Sequence, residues 1–395
     1  MRLVLVLMAV LLPLHGATAE TFADVLARAR GQTVYFNAWG GSPQINDYIA
    51  WVGRETKARF DVGLVQVKLG DTAEAVARVL AEKEAGRTEG GTVDLLWING
   101  ENFRAMKEKG LLFGPFTDML PNFRLVDTGG KPTTLVDFTI PTDGYESPWG
   151  MAKFVLFYDS ARVPDPPASL DELAAWTLTH PGRFTYPAPP DFIGSTFLKH
   201  VLYEAVPDPA RLQQPVDADA FAALATPVWR WLDRVQPHLW RGGVTYPASG
   251  QALHRLLDDG EVDFSMAFNP AEASSLILAG RLPESVRSFV FRAGTIANTH
   301  FVAIPFNAAH KEGAMVVANF LLEPEAQARK QDVRVWGDPT VLDLAALSPA
   351  DRVRFEGLAL GPATLPPDRL GPALPEPHPS WMELLERGWA ERYAR

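Results

Sequence analysis

Trp39-Gly40-Gly41 follows a short apolar run and precedes Ser42-Pro43. Two glycines let backbone amides approach a bound molecule, and an indole beside them offers a π-face to a cation. The same residues also make an ordinary turn carrying a core tryptophan. Asn99, Glu101 and Asn102 stand where a strand-like run gives way to a helical one. There they either contact a ligand or cap the helix. A Glu101 carboxylate facing a cleft favours a cationic or hydroxyl-bearing ligand, since it repels anions. Trp149 precedes the apolar run Lys153 to Tyr158 and either stacks on a ligand or packs locally. Phe192 and Ser195 belong to a proline-rich loop that opens a helix. Tyr246 and Ser249 precede Gly250 and a helical pattern from Gln251 to Asp258, where Ser249 is also a natural N-cap. Asn269 ends a strand-like run before Pro270, so ligand contact and turn are both open. The chemistry these residues share is noncovalent recognition.

Catalytic patterns are missing. The eight histidines are scattered, and no pair has the spacing of a metal-binding helix. There is no G-x-S-x-G elbow, no phosphate-cradling glycine loop and no dinucleotide fingerprint. The chain has no cysteine, which excludes thiolate chemistry, disulfides and a lipid-modified cysteine anchor. We therefore expect no enzyme, no cofactor and no metal. A carboxylate pair for glycoside hydrolysis remains open, because the separation it needs is not visible in sequence.

The elements that must hold these residues alternate between strands and helices. Thr33 to Phe36 reads as a strand, followed by a helix with Ile45, Ile49 and Val52 on one face. Val62 to Val67 reads as a second strand, and Asp71-Thr72-Ala73-Glu74 as the start of a helix burying Ala73, Val76 and Leu80. Val93 to Ile98 reads as a third strand, with a helix after it that stops at Gly110. A new unit opens near Trp149. It holds the strand Lys153 to Tyr158, a helix capped by Ser169 with Glu172 three residues on, and strand-like runs at Arg183 to Tyr186, Glu261 to Phe268 and Asn298 to Ile304. Helices are expected at Lys311 to Leu322 and at Trp381 to Tyr393. Such alternation describes open α/β sheets, in which ligands sit beyond the carboxyl ends of strands.

Arg2 followed by the apolar run Leu3 to Leu14 and Ala17-Thr18-Ala19 has the form of a cleavable secretory leader over residues 1–19. The run is too short to span a bilayer, which needs about 20 apolar residues. An exported, periplasmic chain without a stable membrane anchor is expected. The formal net charge of −10, one unit lower once Arg2 leaves, argues against a nucleic-acid partner. The length favours two domains.

Three segments carry a family resemblance. VYFNAWGGSPQINDYIAWV (34–52), MAKFVLFYDSARVPDPPASLDEL (151–173) and FVAIPFNAAHKEGAMVVANFLLEPEAQAR (301–329) are similar to segments of the solute-binding proteins of ATP-binding-cassette importers. In particular, the chain resembles the YnjB-like family, related to the polyamine- and thiamine-binding branches. The resemblance implies the type II periplasmic binding fold: two α/β lobes joined by hinge strands, closing over a ligand. It places lobe one at 20–150 and 300–340, and lobe two at 151–299 and 341–395. It also puts the Phe192–Ser195 loop on the cleft side of the second lobe. The partners it implies are a small-molecule solute and a permease with a cytoplasmic ATPase, met by a monomeric receptor. The aromatic candidates and the acidic charge point to an organic cation, thiamine-like or polyamine-like. A sugar ligand, or an exported carbohydrate-active enzyme of the same shape, is the alternative.

Overall fold

The computed structural model describes residues 21–394, so the expected leader lies outside the described residues. Apart from a ribbon of two-residue strands at Val136–Asp137 and Ile140–Pro141, the strands are β1 (Thr33–Trp39), β2 (Gly63–Leu69), β3 (Leu95–Ile98), β4 (Glu146–Lys153), β5 (Val155–Asp159), β6 (Phe264–Ala267), β7 (Val286–Phe289), β8 (Thr295–Ala303) and β9 (Ala373–Leu374). They form two separate sheets.

In the first sheet β1 runs parallel to β2, with Thr33 opposite Gly63, and parallel to β3 on its other side. β8 is antiparallel to β3 and to β4, and its start pairs in parallel with β9. Helices cover both faces, so the inner strands read as continuous apolar runs; Leu95, Leu96 and Ile98 are fully buried. The helix Pro43–Phe60 buries Ile45, Ile49 and Val52 as its periodicity requires. The helix Ala73–Glu84 buries Ala75 and Val79 fully and packs Val76 and Leu80 partly against the same cluster, while Ala73, expected inside, is exposed. The cause is local: Asp71 Oδ1 accepts the Ala73 amide, and Glu74 Oε1 accepts those of Gly70 and Asp71. Those bonds place Ala73 in an exposed first turn.

The second sheet is antiparallel throughout, with β5 between β6 and β7. The strand–helix alternation of this half does not produce parallel neighbours, since the partners of β5 are supplied by distant segments. Arg183 to Tyr186, expected as a strand, makes only scattered backbone bonds, among them Asp263 N–H to Arg183 O and Trp240 N–H to Phe184 O. The Ser169 cap forms as expected, its Oγ accepting the Glu172 amide at 3.2 Å.

Each sheet has its own core. The first is built from β1, the helices Pro43–Phe60 and Lys311–Leu321, and residues as far on as Val341, Leu342, Leu347 and Phe355. A smaller cluster on the same sheet joins Leu69, Val79, Phe103, Met106 and Phe301. The second core runs from Ala152 to Ile296 and is closed by Trp381, Leu385, Trp389 and Tyr393 of the helix Pro379–Tyr393. The chain passes between sheets at Phe154, whose amide donates to Ile296 O, again between β7 and β8, and a third time on the way to the C-terminal helix. Neighbouring crossings put the cleft between the lobes beside β4 and β8.

Candidate functional site

The site grows from the end of β3. Gly100 turns the chain with φ 63°, and its amide donates to Asp137 Oδ2 at 2.6 Å. A Cβ here would lie 3.0 Å from the Phe138 ring in a backbone region that L side chains avoid, so the turn requires glycine. This turn sets Glu101 at the first position of the helix Glu101–Glu108. Its half-buried carboxyl is pushed up from 4.5 to about 7. Burial is the main cause, Glu386 and Asp71 add to it, and Lys199 opposes it. Asn102 Nδ2 donates to Glu101 Oε1 at 3.2 Å.

The opposite wall is the helix Phe192–Ala205. Asp191 caps it, accepting the amides of Ile193 and Gly194 at 3.0 and 3.3 Å, and burial pushes the Asp191 carboxyl up to about 6. Four residues separate Ser195 from Lys199, so both lie on one helix face. Ser195 Oγ donates to Glu386 Oε1 at 2.5 Å. Lys199 Nζ lies 2.6 Å from Glu376 Oε2, and these two side chains are 1% and 3% exposed. The ammonium also lies 4.9 Å from the centre of the Phe138 ring and 5.3 Å from that of Phe192. Asn298 Nδ2 donates to Glu376 Oε1 at 3.0 Å, while Asn298 Oδ1 is buried without a partner among the described residues. An open cavity of about 210 Å³ reaches this point, lined by Phe138, Asn298 and Glu376 among others.

Carboxylates dominate the surroundings. Burial raises Glu376, against Lys199 and Asn298, and raises Glu386, against Ser195 and Lys199. Asp137 and Glu146 are pushed well above the usual carboxylate range by burial, with Glu101 and Glu376 adding to Asp137 and Asp137 adding to Glu146. Both Glu146 oxygens are buried without partners, as protonated carboxyls tolerate better than ionised ones. Across the interface Arg104 of the Glu101–Glu108 helix reaches Glu383 at 3.7 Å. Among the described residues no group of three or more His, Asp or Glu is arranged to hold a metal ion. This arrangement stabilises positive charge.

The structure brings Glu101 and Asn102 together with Phe192 and Ser195, from opposite lobes, around Lys199 and Glu386. Asn99 is half-buried at the edge of this group, with no hydrogen-bond partner among the described residues. Gly40 lies beside it through its bond to Leu69 O at 3.0 Å, two residues before Asp71. Trp39 is turned onto Gly41, where a Cβ would come within 2.3 Å of the indole, so the tryptophan covers its own turn.

Four other candidates are spent on packing. Trp149 is fully buried, 5.0 Å from Trp97 and 5.3 Å from Trp336 between ring centres, and presents no face to a ligand. Tyr246 packs on Tyr186 and Trp389 of the second core. Ser249 is the N-cap of the helix Gly250–Asp258, accepting the Ala252 amide at 3.2 Å. Asn269 Oδ1 accepts the Ala271 amide and its Nδ2 donates to Trp336 O at 3.0 Å, tying β6 to the segment after the Pro324–Gln331 helix.

Sequence reasoning missed Lys199, Glu376, Glu386, Asp137 and Phe138. Lys199 had a signal: it is a lone cation inside the apolar stretch Phe197 to Val201, apart from His200. Glu376, between two prolines, had none.

The comparisons agree with this architecture. A family model described as bacterial extracellular solute-binding protein matches residues 51–351. Protein YnjB of Escherichia coli (strain K12) is 45% identical over 375 residues, covering 95% of this chain and 94% of that protein. Among solved structures, the TpPotD lipoprotein of Treponema pallidum superposes with a TM-score of 0.65 at 14% identity, covering 92% of this chain and 100% of the other. AfuA of Actinobacillus pleuropneumoniae, with fructose-6-phosphate bound, gives 0.64 at 13% identity, covering 92% and 99%. The spermidine/putrescine ABC transporter substrate-binding protein PotD of Streptococcus pneumoniae gives 0.58 at 14% identity, covering 81% and 87%. The fold is thus the type II periplasmic binding fold, two α/β lobes around a cleft, and the chain belongs to the family of bacterial extracellular solute-binding proteins.

Proposed function

We propose that this protein is the periplasmic receptor of an ATP-binding-cassette importer and that its solute is an organic cation. The observation that carries the cation is the placing of Glu101 on one lobe and Glu386 on the other, within electrostatic reach of each other and of Asp71. A positive ligand between them contacts both lobes, and only such differential contact shifts the equilibrium toward closure. The fold itself does not name the solute, since it serves a phosphosugar in AfuA and carries a polyamine name in the pneumococcal protein. The sign of the charge in this cleft matches the second. The sugar alternative loses its platform, because Trp149 is buried and Trp39 lies on Gly41.

We further assign residues 341–355 to the first lobe rather than the second, since Val341, Leu342, Leu347 and Phe355 pack into its core. In this reading Glu101, Asn102, Phe192 and Ser195 line the closed site, and a monomer delivers its solute to the permease. The test is native mass spectrometry of protein purified without refolding, then denaturing release and identification of any retained molecule. One organic cation per chain supports the reading; a neutral sugar or an anion at the same occupancy overturns it.

A further inference from the structure

We propose that Lys199 is a resident second cation of the site, which restricts the solute to a single positive charge at one end and an uncharged remainder. This rests on the cationic reading above. Lys199 is borne into the lobe interface by an otherwise apolar stretch, and its pairing with Glu376 at 2.6 Å is almost completely buried. A buried ion pair is weak evidence of a stability role, since hydrophobic replacements are often as stable. The geometry is that of ligand recognition. The ammonium lies between the rings of Phe138 from one lobe and Phe192 from the other, at 4.9 and 5.3 Å, as a bound ammonium lies in an aromatic cage.

Both oxygens of Glu376 are already engaged. Its Oε2 takes Lys199 and its Oε1 takes Asn298. Lys199 lies within electrostatic reach of Glu101 and Glu386 without bonding either, and their hydrogen-bond donors among the described residues are neutral, the Asn102 amide and the Ser195 hydroxyl. Their charge is therefore answered only in part, whereas that of Glu376 is paired directly. A ligand with a cation at each end brings its second charge against Lys199, where like charges a few ångströms apart in a poorly hydrated cleft repel strongly. A solute whose far end is apolar or hydroxylated meets instead the Phe138 ring and the unpartnered Asn298 Oδ1.

The experiment uses butylamine and 1,4-diaminobutane, equal in chain length, titrated calorimetrically at pH 8 into the wild-type mature protein, K199M and the double variant K199M/E376Q. Wild type is expected to favour the monoamine by about tenfold or more. K199M frees Glu376 for the second ammonium, and the order is expected to reverse. The double variant removes that carboxylate and is expected to lose the diamine again. If K199M is too unstable to titrate, a larger rise in its melting temperature with the diamine than with butylamine reads the same effect. Wild type binding both amines equally, or a ratio unchanged in K199M, overturns the role of Lys199 and leaves the cationic reading standing. No binding of either amine to any of the three proteins overturns both.

Discussion

Solute affinity should rise with pH through the neutral range, because Glu101 must ionise to hold a cation. Burial pushes its carboxyl up from an ordinary 4.5 to about 7, with Glu386 and Asp71 adding to the rise. Each pH unit below 7 then weakens binding about tenfold, so between pH 8 and pH 5 the dissociation constant should grow on the order of 100-fold. Calorimetry across that range, in buffers of different ionisation enthalpy, should show about one proton released per solute bound near pH 6. E101Q should have a much shallower profile, the remaining slope coming from Glu386, whose carboxyl burial also raises, and a weak affinity close to that of wild type at pH 5.

The ligand-free protein carries the opposite slope. The folded state keeps its Glu101 proton up to about 7 while the unfolded chain loses it near 4.5, so stability falls as pH rises through that window. The loss is about 1–3 kcal/mol, reduced from the full shift because the side chain is only half-buried. E101Q should therefore be more stable than wild type at pH 8 without ligand. An affinity for cations that does not change between pH 5 and 8, or a slope as steep in E101Q as in wild type, would refute the assignment of Glu101 to the ligand.

Two further perturbations separate scaffold from site. Lys330 is fully buried against Asp338, which also accepts from or pairs with His300 Nε2 at 2.9 Å, so D338N should cost about 3–5 kcal/mol by leaving a buried charge unpaired; a urea midpoint within error of wild type contradicts this. Trp149→Ala should cost about 3–5 kcal/mol of stability. The folded fraction should keep its affinity for solute, and a selective loss of binding with unchanged stability would return Trp149 to the site.

Local signals in the sequence were read correctly where local physics decides. The Ile45, Ile49, Val52 face and the Ser169 and Ser249 caps depend on residues within one or two turns, and they form. That Glu101, Asn102, Phe192 and Ser195 lie near the starts of two helices is legible in the same way, and their contact with a solute is the proposal made above. The antiparallel second sheet was not, because β5 pairs with β6 and β7, segments separated from it by several helices, and no pattern within a strand records its partner. Trp39 and Trp149 show the same limit from the other side. An indole next to glycines suits a ligand or a core equally, and only the neighbours Gly41, Trp97 and Trp336 decide. Lys199, Glu376 and Glu386 meet from three separate elements, a convergence that only the tertiary fold creates.

The third passage between the lobes has a consequence for the order of biogenesis. Glu376 and Glu386 belong to the stretch that ends in the helix Pro379–Tyr393, and that same helix completes the second core through Trp381, Trp389 and Tyr393. The large side chains that complete the second core and the two carboxylates facing Lys199 and Ser195 therefore arrive together in the order of synthesis. On the function proposed above, a cut in the proline-rich approach to that helix should remove core packing and solute affinity in a single event.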